Sequence, residues 1–502
     1  MQKRALRLFS QYLGSIDVGT GSTRFILFTT EGQSVSSHQI EMTQYFPGRD
    51  MHEQDPYEYV HLTRQCIESV VEKSGVSKSQ VAGIGITNQR ETTLAWHRDS
   101  GEPLSKAIVW DDSRTASICE SLSPYSQTFK SKTGLPVFSY FSLSKMIWLK
   151  QNVPDVQKAL DQGKCMFGTV ESWLLYNLTK EKVHVTDISN ASRTLLMNLE
   201  GHWDSELMEI GGIPKESLPE IKSCCEVYGY MDGGALDGVP ICGSLGDQQS
   251  ALLGHHCLEP GSTKNTFGTG SFLLMNTGDK LVTSSHGLLT TVYGQFSKEG
   301  KIQYALEGAV EAAGSMMTWI INQLKLVNSV GEIEELASQV EDSGGVYCVP
   351  ALSGLFAPHW RTDARGLIIG LTHHTARPHL IRAVLEGVCF RTGEVMNALY
   401  QDSRLRVPVL SVDGGMTANN LLIQLQADIA GVEIEVPQEK DLTALGASYA
   451  AGLGSGVLSL ESIQKLPRNI ERRFYPNISE LERKAKWEKY QEAMLRSLKW
   501  IN

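Results

Sequence analysis

The chain has 502 residues, with 46 lysines and arginines against 56 aspartates and glutamates and a formal net charge of −10. Its 41 % hydrophobic and 20 % charged content suits a soluble globular protein and excludes wholesale disorder, and the length predicts two or three domains. The acidic balance argues against nucleic acid or an anionic membrane as the main partner, because both need a basic field.

In chain order, Lys3, Arg4 and Arg7 precede the first acidic residue, Asp17, as in a presequence. Apolar strand character already begins near Tyr12, however, and leaves such a segment too little room. Tyr12 to Asp17 reads as a short buried strand. Gly19-Thr20-Gly21-Ser22 follows as a turn, and Phe25 to Phe28 as a second strand, so the start predicts a hairpin with a Gly-rich tip. Val81 to Ile86 and Thr93 to Trp96 read as further strands, as does Val239 to Gly246 just before Asp247. Half a chain after the first tip, Gly268-Thr269-Gly270-Ser271 and the apolar run Phe272 to Met275 repeat the pattern. The repeat predicts duplicated halves, cut near Gly254 into residues 1–254 and 255–502. Two such tips could grip a phosphate chain, since turn N–H groups form anion-binding concavities and glycine permits close approach.

Further on, Val346 to Pro350 and Val409 to Val412 predict strands. Pro378 to Leu399 and Asn419 to Ile429 predict helices, the latter with Leu421, Leu425 and Ile429 on one face. The longest uncharged stretch, Leu442 to Leu460, is rich in Gly, Ser and Ala and reads as a buried helix and loop, not a membrane span. Alternating strands and helices indicate an α/β fold. The nine cysteines are odd in number and form no C-x-x-C pair, which argues against a disulfide framework or thiolate zinc site and points to a reducing compartment.

The sequence has no Walker-type G-x-x-x-x-G-K-[ST] loop, and its G-x-G segments lack the third glycine of a dinucleotide fingerprint. Several positions could carry chemistry, each beside a structural alternative. Asp17, at a strand end before the first tip, suits Mg²⁺ held against phosphates, or a turn-forming Asp. Asp247, at another strand end, suits a general base or a helix cap. Arg90 and Glu91 offer opposite hydrogen-bonding character to a polyol, or form a surface ion pair. Gly414-Gly415 and Asn419 suit a flat ligand against backbone, or a plain strand-to-helix turn. His255-His256 and His373-His374 lack metal-ligand spacing.

Together these pieces resemble the FGGY carbohydrate kinase family, over nearly the whole chain. Tyr140-Phe141-Ser142-Leu143-Ser144-Lys145-Met146-Ile147-Trp148-Leu149 is similar to one family signature. Gly366 to Leu371, His379-Leu380 and Ala383 to Glu386 are similar to the other. Asn88 to Thr92, Asn190 to Thr194 and Gly246 to Gln249 resemble the versions in members that phosphorylate glycerol. The resemblance implies two ribonuclease-H-like domains of the actin and sugar-kinase type flanking a central cleft. It implies ATP-dependent phosphorylation of glycerol to sn-glycerol 3-phosphate in the cytoplasm, with ATP and Mg²⁺, by a homo-oligomer such as a dimer. It further implies that Arg90, Glu91, Tyr140, Asp247 and Gln248 hold glycerol, that Trp110 and Phe272 pack its carbon edge, and that Asp247 is the base. Thr20, Gly21, Ser22 and Arg24 would line the first phosphate turn and Thr269 the second. Gly314, Gly415 and Asn419 would lie along the nucleotide, and Asp17 near Mg²⁺.

The chain departs from the pattern at three places. Val18 and Gly21 stand where glycerol-specific members usually carry Gln and a hydroxyl residue, which is nearer the pentulose-kinase style and removes one side-chain donor to phosphate. Thr318 stands where bacterial relatives have a Gln near ATP, so no nucleotide contact is carried over to it. A pentulose or polyol kinase is therefore the alternative, and a nucleotide-gated binding protein without transfer activity is another. Met231 to Gly238 contains no Arg, the residue with which bacterial relatives bind the inhibitor fructose 1,6-bisphosphate. Turnover measured with this sugar bisphosphate present is expected to be unchanged, and strong inhibition at low concentration would contradict that reading.

Overall fold

The computed structural model describes residues 12–501. Lys3, Arg4 and Arg7, on which the presequence question turns, lie outside the described residues, as does Asn502. The described chain forms two compact units. The first comprises residues 12–258, 290–304 and 441–466, and the second residues 259–289, 305–440 and 467–501. The sequence reading places one boundary, at Gly254; by compactness, residues 290–304 and 441–466 also belong to the first unit.

The main sheet of the first unit runs, in hydrogen-bonded order, Gly229–Tyr230, Pro240–Gly246, Val81–Asn88, Tyr12–Val18, Ser22–Thr29 and Ser34–Glu41. Tyr12–Val18 and Ser22–Thr29 are antiparallel, with Asp17 opposite Arg24. Tyr12–Val18, Val81–Asn88 and Pro240–Gly246 run parallel to one another. Helix Pro56–Ser74, capped by the Asp55 carboxylate and closed by Gly75 in the left-handed region, packs on the antiparallel strands. Its Tyr59, Leu62 and Cys66 join Ile16, Val18, Ile84 and Ile86 in one core.

Strand alternation puts Gly83 and Gly85 on the opposite face from Ile84 and Ile86. The small-residue helix Leu442–Ser455 lies on that glycine face, against the three parallel strands. A Cβ on Gly85 would sit 1.9 Å from the Ala447 carbonyl oxygen, so helix and strand meet backbone to backbone. This close approach attaches residues 441–466 to the first unit despite their distance in sequence. It also accounts for the first half of the uncharged stretch, where Ala444 to Gly452 are buried; among the described residues no helix is long and apolar enough to cross a membrane.

The second large sheet has seven strands, in the order Leu289–Gly294, Gln303–Val310, Ser271–Gly278, Thr263–Phe267, Val409–Asp413, Glu433–Pro437 and Ile470–Phe474, and the last six repeat the order of the first sheet read from its other edge. Here too a hairpin leads, its first strand pairs in parallel with a later one, and an antiparallel strand closes the far edge. The Gly-Thr-Gly tips therefore occupy equivalent places in two copies of one topology. Helices Arg377–Ser403 and Asn420–Ala430 supply much of the second core, through residues such as Val384, Val388, Leu422 and Leu425. Two predicted strands form outside the main sheets. Leu94–His97 pairs with Cys165–Gly168, and Tyr347–Val349 with Leu367–Ile369.

Gly85→Ala is expected to lower stability by about 3 kcal/mol, because a methyl group there must push helix 442–455 off the sheet. A thermal melt within about a degree of the parent would show that the helix is not seated on this glycine.

Candidate active site

The first tip is built by tying its carbonyls inward. The Thr20 carbonyl accepts from Gln44 Nε2 at 2.9 Å and from Gln54 Nε2 at 2.7 Å. The Gly21 carbonyl accepts from Met42 N–H at 2.9 Å, and that of Ser22 from Gly19 N–H at 3.0 Å. Among the described residues the N–H groups of Thr20 and Gly21 have no acceptor, so the tip presents donors outward, as an anion site requires. His52 braces the arrangement, with Nε2 at 2.7 Å from Gln44 Oε1 and Nδ1 at 2.6 Å from Asp111. Ser22 Oγ accepts from Gln39 Nε2 at 3.0 Å. Gly21 is exposed, and a Cβ there would meet nothing within 4 Å. The missing hydroxyl thus leaves space, not a clash.

Asp17 is buried beside this tip. Arg24 Nε lies 3.1 Å from its Oδ2, and Arg24 Nη1 also bonds Asp441. Burial is the main cause that raises the Asp17 carboxyl to about 6; Arg24 opposes it, and the charges of Asp247 and Asp441 add to it. Asp17 and Asp441 share the Arg24 guanidinium, so the negative charge around Asp17 outweighs the positive charge paired with it. The donor set is hard oxygen, which suits Mg²⁺ bringing its own phosphate and water ligands. Among the described residues no three His, Cys, Asp or Glu groups gather as a complete metal cage.

A ring of contacts continues from the tip. Trp110 Nε1–H donates to Thr20 Oγ1 at 2.8 Å. The Trp110 ring meets Tyr140 edge-on, with centroids 5.6 Å apart. Arg90 Nη2 lies 3.5 Å from the Tyr140 hydroxyl, and Arg90 Nε lies 3.1 Å from Asp247 Oδ1. The charge of Asp247 is among the causes that raise the Asp17 carboxyl. Asp247 is the first residue of helix Asp247–Gly254, with Gly246 as the cap, so the capping alternative does not hold; its Oδ1 accepts from Gln248 N–H at 2.7 Å. Gln248 is the next residue on the same half-buried turn.

Glu91 is a backbone exception, with φ of 63° in the left-handed region that favours glycine. The turn breaks strand alternation, so that the side chains of Arg90 and Glu91 both serve the surroundings of Tyr140. Arg193 Nε donates to Glu91 Oε1 at 2.6 Å, and the Arg193 guanidinium lies over the Tyr140 and Phe141 rings. Both carboxylate and guanidinium are buried, so the surface-pair alternative for Arg90 and Glu91 does not hold.

In the second unit, the second tip uses the same device. The Gly268 carbonyl accepts from Gly314 N–H at 3.0 Å, and that of Thr269 from Ala313 and Ser315 N–H at 3.1 and 3.0 Å. The N–H groups of Thr269 and Gly270 have no acceptor among the described residues. A Cβ on Gly314 would sit 2.5 Å from the Gly268 carbonyl oxygen, which explains the glycine through packing. Phe272 is half-buried on the strand leaving the tip. Gly415 is exposed with open space at its Cβ position. Asn419 caps helix Asn420–Ala430 through Oδ1, 2.9 Å from Leu422 N–H, and its Nδ2 has no acceptor among the described residues.

The chain matches the N-terminal domain of the FGGY family of carbohydrate kinases over residues 12–254 and the C-terminal domain over residues 263–455. The chain belongs to the FGGY family of carbohydrate kinases. A glycerol kinase of Leifsonia xyli is 45 % identical, across 98 % of this chain and 99 % of its own. The structure of Plasmodium falciparum glycerol kinase with ADP superposes with a TM-score of 0.91 at 37 % identity, covering 97 % of this chain and 98 % of its own. Xylulose kinase of Lactobacillus acidophilus shares the fold, with a TM-score of 0.85 at 23 % identity and coverage of 96 % and 97 %.

In this FGGY kinase, sequence reasoning did not assign two supporting residues. Arg193 is one, although its motif was legible. Lys145 is the other: fully buried, it donates to the Ser139 and Tyr140 carbonyls at 2.6 and 2.8 Å and so fixes Tyr140 from below. Burial pushes its ammonium group down to about 8, against the pull of Glu91. A charged residue inside a signature helix was the available signal, but its targets are backbone oxygens that no pattern marks.

Asp17 ionises at about 6 in the folded chain and near 3.8 when unfolded. Between those values the native state keeps a proton that the unfolded state has lost, so the cost of the buried charge is full above pH 6 and disappears as pH falls toward 4. The stability of Asp17→Asn relative to the parent is therefore expected to rise by about 1 kcal/mol between pH 5 and pH 8 in nucleotide-free protein. Parallel melting curves across pH check this, and a constant difference would contradict it.

Proposed function

We propose that this chain transfers the terminal phosphoryl group of ATP to glycerol, giving sn-glycerol 3-phosphate. The observation that carries the reading is the run of contacts from Thr20 through Trp110, Tyr140 and Arg90 to Asp247, which joins an outward-donating phosphate turn to a polar and aromatic cluster. The full-length identity to glycerol kinases supports glycerol over a pentulose, whose kinases share the fold at much lower identity.

In this reading the hydroxyls of glycerol accept from Arg90 and Gln248 and donate to Glu91 and Asp247, while Trp110 and Phe272 exclude water from its carbon edge. The Tyr140 hydroxyl adds a further polar contact. Asp247 takes the proton of the attacking hydroxyl, which is a weak nucleophile until that proton has an acceptor. The N–H groups of Thr20 and Gly21, with Ser22 and Arg24, suit phosphate charge at the first tip, and Thr269 is the corresponding phosphate residue of the second tip. Gly314, Gly415 and Asn419 belong to the nucleotide side, Gly415 by open space and Asn419 by its remaining amide protons. Mg²⁺ would supply charge neutralisation on the phosphates when bound, and Asp17 would be the residue that holds it.

Glycerol-dependent ADP release, run beside a panel of pentuloses and polyols, tests the substrate. Asp247→Asn is expected to lower kcat by about a thousandfold while leaving the nucleotide dissociation constant within about twofold. Near-parent turnover in the purified variant would remove the base assignment, and preference for a pentulose would move the chain to that branch of the family.

A further inference from the structure

The hydrogen bond between Trp110 and Thr20 has a directional consequence. An indole N–H only donates, so Thr20 Oγ1 is necessarily the acceptor in the 2.8 Å contact. A threonine hydroxyl has two lone pairs and a single proton. One lone pair is taken by the indole, and the proton has no acceptor among the described residues. The Thr20 backbone is already fixed, because its carbonyl is held by Gln44 and Gln54. Rotation of the side chain is the freedom that remains, and Trp110 removes it.

Trp110 is itself held in place. Its backbone N–H donates to Thr92 Oγ1 at 3.1 Å, and its ring packs edge-on against Tyr140 at an interplanar angle of 83°. The orientation of the Thr20 hydroxyl is thus inherited from the aromatic wall.

We infer that Trp110 is a positioning residue for phosphoryl transfer: its indole N–H occupies Thr20 Oγ1 so that the Thr20 hydroxyl proton is presented to the transferring phosphoryl group. This rests on the reading of the site as that of a glycerol-phosphorylating kinase. It gives Trp110 a role beyond shielding the carbon edge of the alcohol. The wall that selects the polyol also presets one phosphate donor, and a preset donor costs no reorientation when charge develops in the transition state.

The test is a mutant cycle in the full-length enzyme, with kcat and KM measured for glycerol and for MgATP. Thr20→Val is expected to lower kcat by about 30-fold through loss of a donor to a charged group, and Thr20→Ser, which keeps the hydroxyl, to recover most of that loss. Trp110→Phe keeps an aromatic wall and removes the N–H; it is expected to lower kcat by about fivefold. The double variant Thr20→Val/Trp110→Phe is expected to fall no more than about twofold below Thr20→Val alone, because the N–H acts through the hydroxyl. If Trp110→Phe misfolds by thermal melting, 3-benzothienylalanine at position 110 replaces the N–H by sulfur at nearly unchanged shape and is held to the same expectation. A purely structural wall would instead raise the KM for glycerol, leave kcat unchanged, and do so equally in the Thr20→Val background; that pattern, or losses that multiply in the double variant, overturns the inference. Full kcat in Thr20→Val overturns it too, and with it the phosphate-turn assignment, whereas an impaired Thr20→Val beside an intact Trp110→Phe removes only the role given to Trp110.

Discussion

The structure depends on where the carbonyls of two short turns go. A Gly-Thr-Gly tip has as many acceptors as donors, and unaided it would offer an anion both attraction and repulsion. In each unit the acceptors are satisfied from behind. Gln44, Gln54 and Met42 take the carbonyls of the first tip, and residues 313–315 take those of the second. What remains outward is N–H. The solutions are chemically different, side-chain amides in one unit and the start of a helix in the other, yet they leave the same face exposed.

Around the first tip, charge is held in opposed pairs. Asp17 with Arg24, Arg90 with Asp247 and Glu91 with Arg193 each hold a carboxylate against a guanidinium. Each pair has at least one buried member, for which losing the counter-charge is costly, and this fixes side chains more firmly than fully exposed pairs can. Lys145 extends the scheme by bonding two carbonyls beneath Tyr140. The left-handed backbone at Glu91 is the strained point in this scaffold, and the surrounding bonds hold it.

The two units repeat one strand order, each with its tip between the first two strands of the hairpin. Duplication explains why a four-residue match half a chain apart carried information in an otherwise ordinary glycine-rich sequence. The units are unequal in detail. Helix 442–455 returns to the first unit because Gly85 and its own small residues let backbones touch.

The sequence by itself determined the hairpins, the alternation of strands and helices, the helix that Asn419 opens, and the residue types that could carry chemistry. Those features are local: turn glycines, apolar periodicity and short motifs act over a few neighbouring residues, and a resemblance spread along the whole chain adds their order. Three choices were left to the tertiary structure: that Asp247 lies inside a helix start and not at its cap, that Arg90 and Glu91 are buried and not on the surface, and that residues 441–466 join the first unit. It alone joined Arg193 to Glu91, Lys145 to the carbonyl of Tyr140, and Trp110 to Thr20. These partners are separated by up to about a hundred positions or lack a side-chain target, and a hydrogen bond forms only when folding brings donor and acceptor within about 3 Å.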